Sequence, residues 1–276
     1  MIRTASIGRP GALARQANRG VKAVRRGLLF TGVALFFPAA GAQPHPDDCI
    51  ASRIQPEAID LDQPRDQLQR QSDLEIPEGA RIGLIRIVRR PIFDVTDPEQ
   101  DNIFFRALNA LNTPTWESAL RAQLVFNEGD VYRPDMITES ERILRQREYL
   151  AAAWVGVTHV CGNELEVAVL VRDTWTLLPS AGASRSGGEN TTSTGLSDPN
   201  FLGSGKSLGV SHTRDPDRTE TSVDFDDPNL LGTHWRTGFS YIDRSDGDGR
   251  SAYLERPFYS EHTVWRVGIR GLDDVR

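Results

Sequence analysis

From Thr174 onward, apolar and polar positions alternate with a period of two. Trp175, Leu177, Ala181 and Ala183 alternate with Thr174, Thr176, Ser180 and Gly182; Lys206, Leu208, Val210 and His212 with Gly205, Ser207, Gly209 and Ser211. The same holds for Thr219, Thr221, Val223 and Phe225, for Trp235, Thr237, Phe239 and Tyr241, and for Trp265, Val267 and Ile269. Successive side chains of a strand point to opposite faces, so this pattern predicts strands with one apolar or aromatic face and one small or charged face. Seven are expected, near 174–185, 190–197, 205–214, 218–225, 234–243, 249–256 and 263–272.

Upstream the periods are mixed. Ile82–Val88 is a β-rich run closed by Arg89-Arg90-Pro91. Helices are expected over Pro114–Phe126, where proline suits the first turn, and over Pro134–Arg147, with a further one around Asp101–Leu111. The second carries Met136, Ile137, Ser140, Ile143 and Leu144 as a one-sided stripe. Two strands, Ala153–Val160 and Leu165–Val171, flank Gly162-Asn163, a hairpin turn in which glycine supplies a positive φ. With 161 facing 164 and 160 facing 165, Trp154, Gly156, Thr158 and Val160 should share a helix-covered face with Leu165, Val167, Val169 and Val171. Glu164, Glu166, His159 and Cys161 should look outward. The unit reads β-α-α-β-β, an α+β arrangement.

Charge divides the chain. Residues 1–42 hold seven basic groups and no acid, leaving the remaining 234 residues with a net charge of −13. A general nucleic-acid binder is excluded, because it needs a basic surface to release counterions from phosphates. The basic stretch precedes Gly27–Ala42, an uncharged apolar run of 16 residues ending in small residues. That run is short of the roughly 20 residues of a membrane span, so 1–42 reads as an export signal peptide cleaved before Gln43. Residues 43–80 are rich in Pro, Asp, Gln and Arg and read as a flexible linker.

Export and long alternating strands together favour a membrane β-barrel over a half-buried soluble sheet. A repeat supports this: Asp198-Pro199-Asn200-Phe201-Leu202-Gly203 recurs 29 residues later as Asp227-Pro228-Asn229-Leu230-Leu231-Gly232, and Arg256-Pro257-Phe258-Tyr259 follows after another 29. That period fits two strands and two connections of an up-and-down barrel, with the proline turns on one rim. A closed bacterial barrel has an even strand number, so seven strands are expected to be only the first part of one.

The run Phe126-Asn127-Glu128-Gly129-Asp130-Val131-Tyr132, followed by Ile137–Arg145 and Tyr149-Leu150, resembles a POTRA domain. The junction Val171-Arg172-Asp173-Thr174-Trp175-Thr176-Leu177 and the Asp-Pro-Asn turns resemble the start of the barrel in the bacterial surface antigen, BamA/TamA-like outer-membrane family. The resemblance covers about 81–276. It implies a POTRA-like domain over 81–172 and a partial outer-membrane β-barrel over 173–276. It also implies assembly or translocation work in contact with outer-membrane lipid, with unfolded polypeptide clients and periplasmic assembly partners received by a POTRA domain in the periplasm. Two departures stand out: a single POTRA unit, and Ile269-Arg270-Gly271-Leu272 too early and without the aromatic residue of the family's lumen-loop motif.

In the family's strand order Trp154, Val155, Gly156, Val157, Thr158, His159 and Val160 lie on a sheet edge and would offer unpaired backbone groups to an extended client. The alternative is a structural domain with a protected edge. Two other classes are a passive barrel or surface antigen without a client, and an outer-membrane hydrolase. No catalytic, cofactor or metal constellation is found, and the chain is read as a non-enzyme. Gly203-Ser204-Gly205-Lys206-Ser207 lacks the glycine spacing and following helix of a phosphate loop. Asp243–Gly249 lacks the terminal ligand of a calcium loop, and the five histidines are scattered. Cys49 and Cys161, the only thiols, leave two readings open in an oxidising compartment: a disulfide that pins the arm across the POTRA sheet, or two independent thiols.

Overall fold

The computed structural model describes residues 49–52, 55–63, 74–95, 97–98 and 101–275. The expected signal peptide over 1–42 and much of the 43–80 linker lie outside the described residues. Two sheets organise the rest. The first has four strands in the order β1-β3-β4-β2: β1 (Cys49–Ala51), β2 (Arg81–Arg90), β3 (Leu150–Cys161) and β4 (Glu164–Asp173). β3 and β4 form the expected hairpin with Val160 opposite Leu165. β2 runs parallel to β4, and β1 pairs antiparallel with the end of β3. Three helices complete this part: α1 (Ile103–Leu111), α2 (Glu117–Arg121) and α3 (Pro134–Arg145).

The hairpin holds a correction. The register shifts between Val157 and His159, which leaves Thr158 as the extra residue of a bulge. One inserted residue reverses the facing of everything upstream of it. Ala153, Val155 and Val157 therefore join Val160, Leu165, Val167, Val169 and Val171 in the main core, with Leu120, Leu124, Phe126, Ile137 and Leu144 from the helical side. Trp154 turns to the other face, where it packs with Ile59, Leu61, Ala168 and Leu170. Gly156 makes that possible, since a β-carbon there would collide with the Trp154 ring. Part of the expected linker is thus built into the fold: β1 is a strand, and Ile59 and Leu61 are buried anchors beneath Trp154. Leu74, Ile76 and Ala80, at the end of the same stretch, pack in or against the main core.

The helix expected over 114–126 shortens to α2. Asp173 accepts hydrogen bonds from the Thr115 backbone N–H at 3.0 Å and from its hydroxyl at 2.7 Å, which holds 113–116 out of helical geometry. After α2 the Val125 N–H donates to Ser140 Oγ at 3.0 Å instead of continuing the helix. In α3, Ile137, Ser140, Ile143 and Leu144 are buried as the stripe required, but so are Glu139 and Glu141.

The second sheet is an antiparallel meander in chain order: β5 (Leu178–Ser186), β6 (Glu189–Asp198), β7 (Ser207–Arg214), β8 (Thr219–Asp227), β9 (Arg236–Arg244), β10 (Gly247–Arg256) and β11 (Val267–Val275). The register sets Leu196, Val210, Val223 and Tyr241 in one row, and Leu208, Phe225, Phe239 and Ala252 in another on the same face. The opposite face carries Ser180, Gly195, Ser211 and Ser222, with Arg244 bridging Glu220 at 3.0 Å and Asp274 at 2.5 Å. Tight connections join the strands at one rim. The longer ones (199–206, 228–235 and 257–266) all lie at the other, as the proline turns required. Among the described residues no helix is long and apolar enough to cross a membrane.

Candidate functional site

The longer connections close onto the helices of the first part. In each repeat the aspartate side chain accepts the N–H of the asparagine two residues on, Asp198 to Asn200 at 2.9 Å and Asp227 to Asn229 at 3.0 Å. This turn aims both asparagine amides away from the sheet. Asn200 Nδ2 donates to Thr115 Oγ1 at 2.8 Å, its Oδ1 accepts from Gly205 N–H at 2.7 Å, and the Trp116 N–H donates to the Gly203 carbonyl at 2.7 Å. Asn229 Nδ2 donates to the carbonyls of Ala122 at 3.0 Å and Thr233 at 3.1 Å, while its Oδ1 accepts from Gln123 Nε2. One repeat thus holds the chain entering α2 and the other holds the chain leaving it. Gly203 is irreplaceable in this geometry: its φ is +76°, and a β-carbon would run into the Pro114 carbonyl.

The third connection reaches α3. Glu261 N–H donates to Glu139 Oε1 at 2.8 Å, and His262 Nε2 lies 3.4 Å from Asp135 Oδ2. The Arg142 guanidinium, bonded to Glu139 through two contacts of 2.7 Å, holds the Glu139 carboxyl below its ordinary range. Lys206 Nζ meets Asp227 Oδ2 at 3.0 Å and ties the first two connections together. Buried polar atoms with matched partners give a contact of fixed geometry, since leaving any of them unpaired costs about 1–3 kcal/mol.

Beside this clamp lies a cavity of about 450 Å³, lined among others by Gln123, Arg147, Tyr149, Asp226, His234 and Arg236. Four atoms of those side chains are buried without a hydrogen-bond partner: Gln123 Oε1, Arg147 Nε, Tyr149 Oη and His234 Nε2. Burial pushes the Tyr149 hydroxyl up to about 12, pulls the Arg147 guanidinium down, and lowers His234, with Arg256 and Arg147 adding to the last effect. The clamp is therefore polar throughout and incompletely satisfied on its cavity side, unlike the apolar core a few residues away.

The seven residues expected at a sheet edge, Trp154, Val155, Gly156, Val157, Thr158, His159 and Val160, all lie in β3. Ile50 and Ala51 of β1 pair with Val160 and His159, and the Ser52 N–H donates to the Thr158 carbonyl at 2.7 Å. Further along, the Val155 N–H donates to the buried Glu141 Oε2 at 3.3 Å. No strand pairs with the outer side of Leu150–Val157 among the described residues. Cys49 stands directly opposite Cys161, with Cα atoms 4.1 Å apart and the two Sγ atoms within bonding distance. Sequence reasoning passed over Thr115, Gln123, Glu141, Asn200 and Asn229. For the two asparagines the signal was present, as the invariant centre of the 29-residue repeat.

No protein-family model matches the chain, and no curated protein matches it. Among solved structures it is similar to BamA from Haemophilus ducreyi lacking POTRA domains 1–3, with 18% identity and a TM-score of 0.43 over 63% of this chain and 32% of that one. It is also similar to CdiB from Acinetobacter baumannii, with 12% identity and a TM-score of 0.35 over 69% of this chain and 55% of that one. The chain thus spans about a third of the first structure and about half of the second.

Proposed function

We propose that the chain is a periplasmic POTRA-like domain, residues 81–172, joined to the first part of an outer-membrane β-barrel, residues 173–276, and that it serves polypeptide assembly or translocation. One observation carries the membrane reading. Among the described residues nothing packs on the apolar face of the seven-stranded sheet, and most of its ion pairs (Arg244 with Glu220 and Asp274, Arg236 with Asp226) lie on the other face, with Arg250–Asp248 near the tight-turn rim as the exception. In water that arrangement is an exposed hydrophobic patch; between lipid and an aqueous lumen it is the required one. The clamp at the rim holds the domain beside the barrel mouth, on the periplasmic side in this reading.

The free outer side of β3 supports a client-receiving role by strand addition. β1, pinned by a Cys49–Cys161 disulfide, limits that edge at 159–161, and Glu141 occupies the one backbone donor at Val155. A client strand would run along Leu150–Val157 and displace the Glu141 carboxylate. Photocrosslinking from the exposed position 151 in the exported protein tests this. Crosslinks to unfolded outer-membrane precursors are expected, and stronger ones in Glu141→Ala; absence of both overturns the client role. Recovery of the protein as a soluble periplasmic species would overturn the membrane reading itself.

A further inference from the structure

Both copies of the repeat place a leucine where leucine is unfavourable. Leu202 and Leu231 have φ of +53° and +54°, the left-handed region that suits Gly, Asn or Asp. Both side chains stand in solvent, 58% and 91% exposed. Backbone strain that ends in an exposed apolar side chain has no return in water.

These leucines have apolar neighbours. Leu231 shares a cleft with Trp116 and Lys206, and Leu202 shares one with Leu177 and the Asn112–Thr113 end of α1. Leu177 and Lys206 continue the parity of the apolar face of the barrel sheet, so this strip lies on the outer side of the rim. α1 extends it. Asn102 caps the helix through the Phe105 N–H, Phe93 stacks on Phe105, and Ile103 and Phe104 are left 88% and 63% exposed. Of the charges nearby, Lys206 pairs with Asp227 and Arg106 lies 2.6 Å from Asp101, while Asp198, in the Leu202 cleft, accepts the Asn200 N–H.

We propose that Leu202, Leu231, Trp116 and the Ile103–Phe104 end of α1 form a second membrane contact, seated in the inner leaflet of the outer membrane at the boundary of headgroups and acyl chains. The inference rests on the lipid-facing assignment of the barrel sheet, with which the strip is continuous. An apolar strip with paired charges inserts by burying surface, not by attracting anionic headgroups, so the contact is insensitive to salt. It fixes the domain's height and tilt against the bilayer independently of the asparagine clamp, and it accounts for leucine at both strained positions.

The test uses the protein with its barrel complete, reconstituted in phosphatidylethanolamine–phosphatidylglycerol bilayers. Nitroxide labels are placed singly by Leu231→Cys, Leu202→Cys and Phe104→Cys, with Val210→Cys as the lipid-facing control and Asn163→Cys, at the distant hairpin tip, as the aqueous control. Collision with oxygen should exceed collision with a water-soluble nickel chelate at 231, 202 and 104 as at 210, with the ratio inverted at 163. Nickel-dominated collisions at the three sites with a lipid signal at 210 overturn the inference and leave the barrel reading intact. Shielding from both reagents also overturns it, and points to a protein partner or a second copy. A nickel-dominated signal at 210 overturns the barrel reading itself. If a labelled variant does not assemble, quenching of Leu231→Trp by brominated acyl chains gives the same decision: unquenched fluorescence refutes the contact.

Discussion

In β4, Val167, Val169 and Val171 are fully buried beneath the helices, while Ala168 and Leu170 on the opposite face are equally buried beneath Ile59, Leu61 and Trp154. In β7 and β9, Val210 and Phe239 occupy comparable positions in their sheet and stand nearly half exposed. Strand pairing is equally regular in both places. What differs is the cover: the first sheet makes its own apolar phase from helices and a captured segment, whereas among the described residues nothing covers the apolar face of the second, the task given to lipid in the function proposed above. Between them the clamp of Asn200, Asn229 and Glu139 contains little apolar contact. Such a joint is held in register by hydrogen bonds without becoming a third core.

The largest test of this contrast is separation. Residues 43–173, which keep β1 and the Trp154 cluster, should be soluble and unfold cooperatively, whereas 174–276 should aggregate in water because both its apolar face and its edge strands are uncovered. Cooperative folding of the second fragment in aqueous buffer would erase the distinction.

Single side chains sharpen it. Leu120→Ala, at a fully buried site, should cost about 2–5 kcal/mol in denaturant unfolding of 43–173. Phe239→Ala in the bilayer-inserted chain should cost distinctly less, because lipid closes over the gap and only the transfer contribution is lost. Equal costs would mean that Phe239 faces protein.

Reduction of the Cys49–Cys161 bond should lower the stability of 43–173 by about 2–4 kcal/mol, since it joins residues 112 apart. Thiol counting on denatured, non-reduced protein should find no free thiol; two free thiols would remove the pin.

At the joint the two repeats differ in a measurable way. Gly203→Ala and Gly232→Ala each force alanine to a φ near +75°, costing roughly 1–2 kcal/mol. Only Gly203→Ala also drives a β-carbon into the Pro114 carbonyl, whereas nothing lies within 4 Å of Gly232. Protease cleavage around 113–116 should therefore increase much more in Gly203→Ala. The smallest effect is that of pH. Glu139 titrates below its ordinary 4.5, chiefly through its hydrogen bond to Arg142. A carboxyl depressed in the folded state contributes stability above its unfolded pKa, lost as pH falls through the folded value. The protection of the Glu261 amide, corrected for the intrinsic pH dependence of exchange, should fall only below about pH 4.5, and protection that does not change with pH would show that Glu139 does not hold that connection.

Most of the seven-stranded sheet is determined by the sequence alone. A period of two, with one apolar face and one polar face, is a local property, so strand positions, facing and the common rim of the proline turns follow without knowledge of distant contacts. The family resemblance likewise rested on short runs such as Phe126–Tyr132. The tertiary structure decided the rest. Nothing near Thr158 announces a bulge, because whether one residue is looped out depends on what both faces of the finished sheet can bury; that single residue moved Trp154 from one core to the other. Nothing in the sequence sets Glu139 and Glu141 apart from other helix charges; a connection 122 residues away and an open strand edge take up their oxygens. Asn200 and Asn229 look like turn residues until α2 arrives between them. In each case the residue's role lies in a partner remote along the chain; the 29-residue repeat marks the two asparagines, but polar pairing over such separations leaves nothing in the sequence that names the partner.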